Sequence, residues 1–362
     1  MSQRKQTEIV YVDRDHPDKA SIERAASLLR AGELVVFPTE TVYGLGANAL
    51  QSTAVERIFE AKGRPYSDPL IAHIANMAAL EQLVTEIPDE AYALAYTFWP
   101  GPLTLILPAS SPVPRMVTAG LATVAVRMPG HLIAQALIRA AGTPIAAPSA
   151  NRFMHVSPTT AQHAFADLQG RVPLILDSGP CEVGVESTIL DLCAHTPTIL
   201  RPGGISLEAL RSVLPNVQPP ARPDKSAAQQ EVEAEAQKAP GQMPVHYSPE
   251  VPAYLFAGTP EEIQAAMLKA VQQHRSQGEE VGLLIADEDL ETLRHSGAHI
   301  YLLGKTAEEA ATRLYAGLRV LEESRVQIIL CRDFTEQGLG MAIRDRLLKA
   351  TGGKVIDAST LA

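Results

Sequence analysis

The chain has 362 residues, which at about 150 residues per domain indicates two or three domains. Its charged fraction of 20% and hydrophobic fraction of 46% exclude a fibrous or wholly disordered protein. A formal net charge of −10 disfavours a simple basic nucleic-acid binder but still allows a local basic patch. The three scattered cysteines fit neither a disulfide framework nor a zinc site, so we expect reduced thiols in a cytoplasmic protein. We expect neither a signal peptide nor a membrane span.

Helices and strands alternate from the N-terminus to about residue 215. The apolar residues from Ile22 to Leu29 share one helical face, and a buried strand, Leu34–Phe37, follows them. Thr53 and Glu56 resemble a capping box that opens a helix ending near Ala61. Because several short strands follow one another without room for a crossover helix, we predict an α/β domain on a twisted mixed sheet. Its other predicted elements are strands at 70–74, 103–107, 123–127, 174–176 and 189–192, and helices at 131–141 and 159–168.

A linker is predicted after this domain. Pro215–Pro223 contains four prolines, and hardly any large apolar residue follows before Met243. Such a stretch buries too little surface to offset the entropy of ordering it. We therefore predict a domain at residues 1–215, a linker at 216–249 and a smaller domain at 250–362. A helical turn around 227–236 is compatible with the sequence but would lack an apolar face.

The C-terminal region has a more regular pattern. Strands are predicted at 281–286, 299–303 and 326–331, and helices around 290–293, at 307–323 and at 340–350. This order is typical of a Rossmann-like three-layer α/β domain with a parallel sheet. No glycine fingerprint follows its first strand, so we assign it no dinucleotide and expect a structural or regulatory role.

An acid-free segment points to an anionic ligand. Residues 91–166 contain no Asp or Glu, yet they include Arg115, Arg127, Arg139 and Arg152. In an acidic protein, this pattern predicts a surface kept positive for an anion. The alternative is that much of the segment is apolar core, which accounts for the missing acids but not for the arginines.

Several short polar motifs could contact phosphate. In Lys62-Gly63-Arg64, two cations flank a glycine that allows close approach of a ligand, although the same motif also serves as a solvated helix cap. The motifs at 148–151, 185–188 and 201–204 follow or open strands, and plain turn chemistry is their alternative interpretation. The glycines at 44 and 46 form neither a Rossmann nor a P-loop motif. Without a nucleophile elbow or paired metal ligands, covalent and metal-hydrolase mechanisms have little support.

Eight segments follow the order and spacing of one family's motifs: FPTETVYGLG (37–46), KGRP (62–65), DPLIAHI (68–74), WPGPLT (99–104), VAVRMP (124–129), APSAN (147–151), VESTI (185–189) and ILRPG (199–203). The chain thereby resembles the threonylcarbamoyl-AMP synthase family in its longer, two-domain form. The resemblance is specific over residues 31–214 and weaker over 251–331, and GLGMAIRDRLLKA (338–350) is the best C-terminal match. The segment PGQMPVHYSP (240–249) is similar to the family's interdomain motif.

The resemblance implies an activity. In this family, L-threonine, bicarbonate and ATP condense to threonylcarbamoyl-AMP and pyrophosphate. Downstream proteins transfer the threonylcarbamoyl group to adenosine in tRNAs that read ANN codons. The chemistry requires no protein nucleophile, because the carbamate of threonine itself attacks the α-phosphate. Lys62 and Arg64 would therefore act by positioning and neutralising phosphates, while Mg²⁺ is held mainly by ATP and not by a protein metal site.

The resemblance also implies roles for individual residues. Lys62 and Arg64 match the family's Lys-x-Arg signature, and Ser149 and Asn151 match its Ser-x-Asn. The resemblance implies a nucleotide contact for Asp68 as well, which stands where relatives often carry Asn and whose carboxylate could instead bind Mg²⁺. The other implied ATP contacts are Thr123, Ser157 and Arg201, and the implied threonine contacts are Thr41, His73, Arg127, Ala147 and Ser187.

Two other functions compete with this enzyme. One is an RNA-binding module that binds tRNA on a positive face without catalysis, and the other is a carbamoyltransferase domain of hydrogenase maturation. The net charge disfavours the first, although weak tRNA binding stays open. The second would bring further domains that this chain lacks.

The end of the linker suggests a lid. Residues 240–249 contain His246 and Tyr247 among prolines, and a plain spacer has no use for an aromatic pair. We predict that this pair folds over the nucleotide, so that Tyr247 contacts ATP and water is excluded. The alternative is that both residues begin the core of the second domain.

Overall fold

The computed structural model describes residues 6–221, 237–243 and 245–360. The chain divides into two compact units. Unit 1 comprises Met1–Phe153, Pro158–Glu182 and Glu186–Gln242, and unit 2 comprises Met154–Ser157, Val183–Val185 and Met243–Ala362. The division between Gln242 and Met243 falls inside the predicted linker, and two short segments of the N-terminal half belong to unit 2. The helical turn considered at 227–236 lies outside the described residues.

The predicted mixed sheet is confirmed in unit 1. Its described strands form one ten-stranded sheet with the order β1-β8-β2-β3-β7-β4-β6-β5-β9-β10 and both parallel and antiparallel pairs. The strands are β1 (Glu8–Tyr11), β2 (Val35–Phe37), β3 (Gly44–Asn48), β4 (Ile71–His73), β5 (Leu103–Pro108), β6 (Thr123–Arg127), β7 (Ile145–Ala146), β8 (Leu174–Asp177), β9 (Thr188–Asp191) and β10 (Thr198–Arg201). The helices are α1 (Lys19–Arg30), α2 (Ser52–Lys62), α3 (Met77–Leu83), α4 (Asp89–Phe98), α5 (Leu132–Ala141), α6 (Ala161–Leu168) and α7 (Leu207–Val213).

Apolar clusters cover both faces of this sheet. One cluster includes Leu29 of α1 and Leu137 of α5, while the other includes Ile58 of α2 and Leu105 of β5. Burial on both faces explains why the strands have apolar runs instead of simple alternation. Packing of the helices against the sheet therefore holds the strand ends, from which the polar motifs extend.

Two features of unit 1 differ from the sequence prediction. Gly44 and Gly46 lie in β3, a strand that was not predicted from the sequence and that pairs antiparallel with β2. A Cβ atom on Gly46 would lie 2.8 Å from the Phe37 ring and 2.9 Å from Ile145, so this strand needs a glycine. The predicted capping box of Thr53 and Glu56 is wrong. The helix begins after Gln51 with no side-chain cap, and Thr53 already lies within its first turn.

Unit 2 contains a three-layer α/β arrangement, as predicted. Its described parallel strands have the order β13-β12-β14-β11-β15. Sequence reasoning missed β11, β15 and α8, whose N-terminus has a capping box of Thr259 and Glu262. The strands are β11 (Ala253–Ala257), β12 (Val281–Ile285), β13 (His299–Leu302), β14 (Ile328–Arg332) and β15 (Val355–Asp357), and the helices are α8 (Pro260–Ser276), α9 (Leu290–Leu293), α10 (Ala307–Glu323) and α11 (Gly340–Ala350).

The loops after β11, β12, β13 and β14 line a cavity of about 860 Å³ in unit 2. Two of its arginines are engaged by carboxylates, Arg332 by Asp289 at 2.9 Å and Arg344 by Asp333 at 3.3 Å. Across both units, no described helix is long and apolar enough to cross a membrane.

Candidate active site

Five strands of unit 1 bring one residue each into a single row across the sheet. His73 on β4 is the register partner of Arg127 on β6, and Arg127 is the partner of Thr104 on β5. Thr104 pairs in turn with Ile189 on β9, and Ile189 pairs with Arg201 on β10. Because paired Cα atoms lie only about 5 Å apart, residues far apart in sequence become close neighbours at this level of the sheet.

Arg127 is buried and held on three sides. Its Nη1 donates to the hydroxyl of Thr41 at 2.9 Å, and its Nε donates to the carbonyl of Gly101 at 3.2 Å. Its Nη2 forms an ion pair with Oε1 of Glu40 at 2.7 Å. Burial is the largest single influence and raises the pKa of Glu40, but the Arg127 charge together with hydrogen bonds from Gly130 and Arg127 outweighs it and lowers that pKa. Glu40 is therefore ionised at neutral pH and orients the guanidinium.

The chain turns after β2 through a hydroxyl-centred network. The Thr39 hydroxyl donates to the carbonyl of Val42 at 2.6 Å and accepts the N–H groups of Thr41 and Val42. It also lies 2.9 Å from the Thr41 hydroxyl. Serine and threonine hydroxyls commonly stabilise such turns by bonding to nearby backbone groups. Here the turn places Glu40 and Thr41 side by side on Arg127.

His73 supplies a neutral imidazole. Burial lowers its pKa to about 3, and the nearby Arg127 charge adds to the effect. Its Nδ1 lies 3.2 Å from the carbonyl oxygen of Ile71, which only accepts, so Nδ1 carries the proton. The other ring nitrogen, Nε2, is then an acceptor for a ligand hydroxyl or N–H.

Ser187 connects two groups of side chains. Its hydroxyl lies 2.8 Å from that of Thr104 and accepts a hydrogen bond from Arg201 Nη2 at 3.1 Å. Arg201 also donates to the Ser187 carbonyl through Nε and Nη2. A Cβ on Gly203 would lie 2.3 Å from the Glu186 carbonyl oxygen, which explains why a glycine is required there. All five predicted threonine contacts lie in unit 1. Thr41, His73, Arg127 and Ser187 belong to this row or contact it, and the N–H of Ala147 donates to the carbonyl of Ile71 on β4 at 3.0 Å.

Lys62 connects the C-terminal end of α2 to the loop that follows β7. As the last residue of α2, it is followed by Gly63 in the left-handed conformation, with φ of 68°. Its ammonium donates to the carbonyls of Ser149 at 2.6 Å and Asn151 at 2.5 Å. Burial lowers its pKa well below the usual value, and the Arg64 charge adds to this shift. The two predicted nucleotide motifs are therefore joined directly to each other.

Asp68 lies among cations. Its Oδ1 is 2.9 Å from Nη2 of Arg64, which also donates to the carbonyl of Pro69 at 2.7 Å. Burial raises the pKa of Asp68, although the charges of Arg64, Lys62 and Arg201 oppose the rise. We call Lys62, Arg64 and Arg201 the cationic group. Asp68 partly neutralises it.

The end of the predicted linker contacts this part of unit 1. The carbonyl of Pro240 accepts a hydrogen bond from Arg201 Nη1 at 3.3 Å, and the N–H of Gln237 donates to Ser67 at 3.1 Å. Ala239 is fully buried in an apolar cluster with Ile71 and Ile189. Residues 237–242 are thus part of the environment of Arg201.

The remaining three predicted ATP contacts are Thr123, Ser157 and Tyr247. Thr123 begins β6, four residues before Arg127 and on the same face of the strand. Ser157 and Tyr247 belong to unit 2. There Tyr247 is 1% exposed, with its ring 5.6 Å from that of Tyr315 and 5.0 Å from the Arg346 guanidinium. This interior position agrees with the alternative in which Tyr247 begins a second core, and closure over ATP stays a prediction.

Sequence reasoning missed Glu40, Thr39 and Thr104. Each is polar and nearly fully buried, so each needs a partner that only the folded chain reveals. The one available signal for Glu40 was a charged residue between a buried strand and further apolar positions. Among the described residues, no group of three or more His, Cys, Asp or Glu side chains converges as a metal site.

Comparison with known proteins identifies the family. A family model described as "Telomere recombination" matches residues 27–203, and one described as "Threonylcarbamoyl-AMP synthase, C-terminal domain" matches residues 205–352. The threonylcarbamoyl-AMP synthase of Pyrococcus abyssi is 44% identical over 349 residues, covering 96% of this chain and 99% of the relative. That of Bacillus subtilis is 46% identical over 339 residues, covering 92% and 94%.

A solved structure extends this similarity to the fold. The crystal structure of P. abyssi Sua5 complexed with L-threonine has a TM-score of 0.89 at 42% identity, covering 97% of this chain and 99% of that one. Two domain matches and these nearly full-length relatives lead to one conclusion. The chain belongs to the threonylcarbamoyl-AMP synthase family, in its two-domain form.

Proposed function

We propose that this protein is an L-threonylcarbamoyladenylate synthase that condenses L-threonine, bicarbonate and ATP to threonylcarbamoyl-AMP and pyrophosphate. The observation that carries the proposal is the connection through Ser187. Arg201 of the cationic group donates to the Ser187 hydroxyl, which lies within hydrogen-bond distance of Thr104, the register partner of Arg127. An amino-acid site and a phosphate site thus adjoin. The threonine bound in the P. abyssi relative supports the first of them.

The residues suit a reaction without a protein nucleophile. Arg127 would pair with the threonine carboxylate, while the neutral His73 and the hydroxyls of Thr41 and Ser187 contact the rest of the amino acid. Bicarbonate takes up a proton and loses water to give CO₂. The threonine ammonium loses one proton, the resulting amine adds to CO₂, and loss of a second proton gives a carbamate. A carbamate oxygen then attacks the α-phosphorus of ATP, and the bond from that phosphorus to pyrophosphate breaks. The protein's contribution is positioning and charge neutralisation.

Arg64 and Arg201 would neutralise the departing pyrophosphate, while Lys62 positions the 149–151 loop around the nucleotide. Magnesium fits this site only in part, because Asp68 is a single carboxylate already paired with Arg64. We therefore propose that Mg²⁺ is held chiefly by phosphate oxygens, with Asp68 as the protein group nearest to that role. When bound, the ion would neutralise phosphate charge.

This activity makes the protein a nucleotidyltransferase in cytoplasmic tRNA modification. Its labile product would pass to proteins that transfer the threonylcarbamoyl group to adenosine in tRNA. Such proteins are the partners that we propose, with any direct tRNA contact being weak. The negative net charge agrees with a small-molecule substrate better than with a primary nucleic-acid ligand.

Pyrophosphate release tests the proposal. The protein with ATP and Mg²⁺ should release pyrophosphate only when L-threonine and bicarbonate are both present, and the adenylate should appear in equal amount by mass spectrometry. Release that is indifferent to threonine, or to bicarbonate after CO₂ is purged, would contradict the assignment. A preparation with Arg127→Ala serves as the negative control, because it lacks the group that pairs with the threonine carboxylate.

A further inference from the structure

The pair of Glu40 and Arg127 is incompletely satisfied. Both carboxylate oxygens of Glu40 and Nη2 of Arg127 are buried, and apart from their own ion pair and a backbone contact from Gly130, none of the three has a further partner of ordinary hydrogen-bond geometry among the described residues. The 2.7 Å contact between Oε1 and Nη2 is an ion pair only. Buried polar atoms normally use most of their hydrogen-bonding capacity, so a buried ion pair with this much capacity left points to a ligand that supplies both an acceptor and a donor.

The formal charges around this pair sum to zero. Arg127 contributes a positive charge, Glu40 contributes a negative one because its pKa is lowered, and His73 is neutral. A simple anion entering the site would be attracted by Arg127 but repelled by the carboxylate 2.7 Å from that guanidinium. A zwitterion avoids this repulsion, since its carboxylate faces Arg127 and its ammonium faces Glu40.

We propose that Glu40 is a specificity-determining residue, which holds Arg127 in place and makes the site select a zwitterionic α-amino acid over the corresponding hydroxy acid. The inference rests on the proposed function and assigns to Glu40 the recognition of the substrate's α-ammonium. Selection of this kind depends on a repulsive element as much as on an attractive one. Arg127 alone would bind carboxylates without regard to the neighbouring amine.

The orientation of Arg127 depends on the same carboxylate. Nη1 and Nε donate hydrogen bonds to Thr41 and Gly101, so without Glu40 the third nitrogen, Nη2, would lack its counter-ion. Glu40 is itself fixed by the turn around Thr39, which leaves it little freedom to follow a ligand. The carboxylate is thus a preorganised part of the site.

The test uses L-threonine and the 2,3-dihydroxybutanoate of the same configuration, in which a hydroxyl replaces the ammonium. Dissociation constants from calorimetry should favour threonine in the unsubstituted protein by roughly 10- to 100-fold, the range for a hydrogen bond to a charged group. In Glu40→Gln, this preference should shrink by about tenfold or more, because threonine binds more weakly and the anion more tightly. Glu40→Asp keeps the charge and should keep the direction of the preference.

Glu33→Gln is the matched control, because Glu33 pairs with Arg57 at 2.8 Å outside the site and its substitution should leave both constants unchanged. An equal preference in Glu40→Gln and the unsubstituted protein would overturn the inference. If Glu40→Gln does not fold, as judged by its melting curve, an unsubstituted protein that binds both compounds equally would overturn it as well. Failure of the unsubstituted protein to bind threonine at all would instead contradict the proposed function.

Discussion

The ammonium of Lys62 lies 2.6 Å from the carbonyl oxygen of Ser149, so the end of α2 is fastened to the loop that follows β7. A second bond, to the carbonyl of Asn151, makes the attachment bidentate. A lysine that reads as a phosphate contact in the sequence therefore also has a structural role. Its low exposure, 3%, suits that role better than a mobile surface charge.

Replacing Lys62 by Met should lower the free energy of unfolding. Methionine keeps the aliphatic length but leaves two buried carbonyl groups without a donor, which costs about 1–3 kcal/mol. Urea unfolding followed by circular dichroism measures the loss. Lys19→Met, at an exposed position of α1, is the control and should unfold like the unsubstituted protein. Unchanged stability of Lys62→Met would show that the loop does not depend on this ammonium.

Arg64→Ala should slow pyrophosphate release by an amount equivalent to about 2–4 kcal/mol of transition-state stabilisation. The reason is that the side chain is a buried cation beside the predicted phosphate positions. Steady-state pyrophosphate assays report the effect, and Arg57→Ala at an exposed position of α2 provides the comparison. Normal turnover of the Arg64 variant would remove this residue from the site.

Amino-acid selectivity should follow the hydrogen-bonding groups of the site. Valine leaves the polar groups of Thr41, His73 and Ser187 without the substrate hydroxyl, so its kcat/KM should fall by about 10⁴-fold. Serine lacks only a methyl group and should be rejected by roughly 10- to 200-fold. Competition assays with paired amino acids give both ratios. Equal turnover of valine and threonine is the result that would refute the assigned site.

His73 should make stability depend on pH in mildly acidic solution. Its pKa is about 3 in the folded protein and near its ordinary value of 6.5 when unfolded. As the pH falls below 6.5, His73 becomes protonated in the unfolded state but stays neutral in the folded state. The free energy of unfolding therefore declines until about pH 3. The slope is at most about 1.4 kcal/mol per pH unit. Urea unfolding at pH 4.5, 5.5 and 6.5 should show a smaller decline in His73→Gln, and parallel declines would count against this assignment.

Tyr247→Ala separates the two roles considered for the aromatic pair. If the contacts with Tyr315 and Arg346 hold in solution, the substitution removes a buried ring and should cost about 3–5 kcal/mol of stability. A lid role would instead lower turnover without lowering the melting temperature of the ligand-free protein. Hydrogen exchange near Tyr247 adds a second measurement. Protection that arises only with ATP and threonine favours the lid, whereas constant protection favours the core.

Elements with a clear period or a long apolar run were predictable from sequence. β6, α10 and α11 have the bounds that the pattern indicated, because burial of one face imposes the period on the sequence. β3 was not predicted, because its five residues include two glycines and show no clear period. Gly46 leaves room for the Phe37 ring of β2 and for Ile145 of β7, and the local sequence does not reveal these neighbours.

The site also has a part that could be predicted from the sequence and a part that could not. The short motifs around Lys62 and Ser149 were visible, but the bond between them spans 87 positions and leaves no local signal. Glu40 was overlooked for a related reason. The role of its carboxylate depends on an ion pair with Arg127 of β6, which only the folded chain forms. Sequence reveals which groups are available, whereas the sheet register decides which of them meet.

Because the row from His73 to Arg201 spans five strands, threonine can bind well only when all five strands are correctly paired. A slip of one residue in any of its five strands would turn that strand's contribution to the opposite face. Several of these pairings join distant parts of the chain, which is the kind of contact that forms slowly. Partly assembled sheets should therefore bind threonine poorly, and the ligand should favour the complete register. At about 100 times its dissociation constant, such a ligand adds about 2.7 kcal/mol to stability. The substrate would then protect the finished sheet from unfolding.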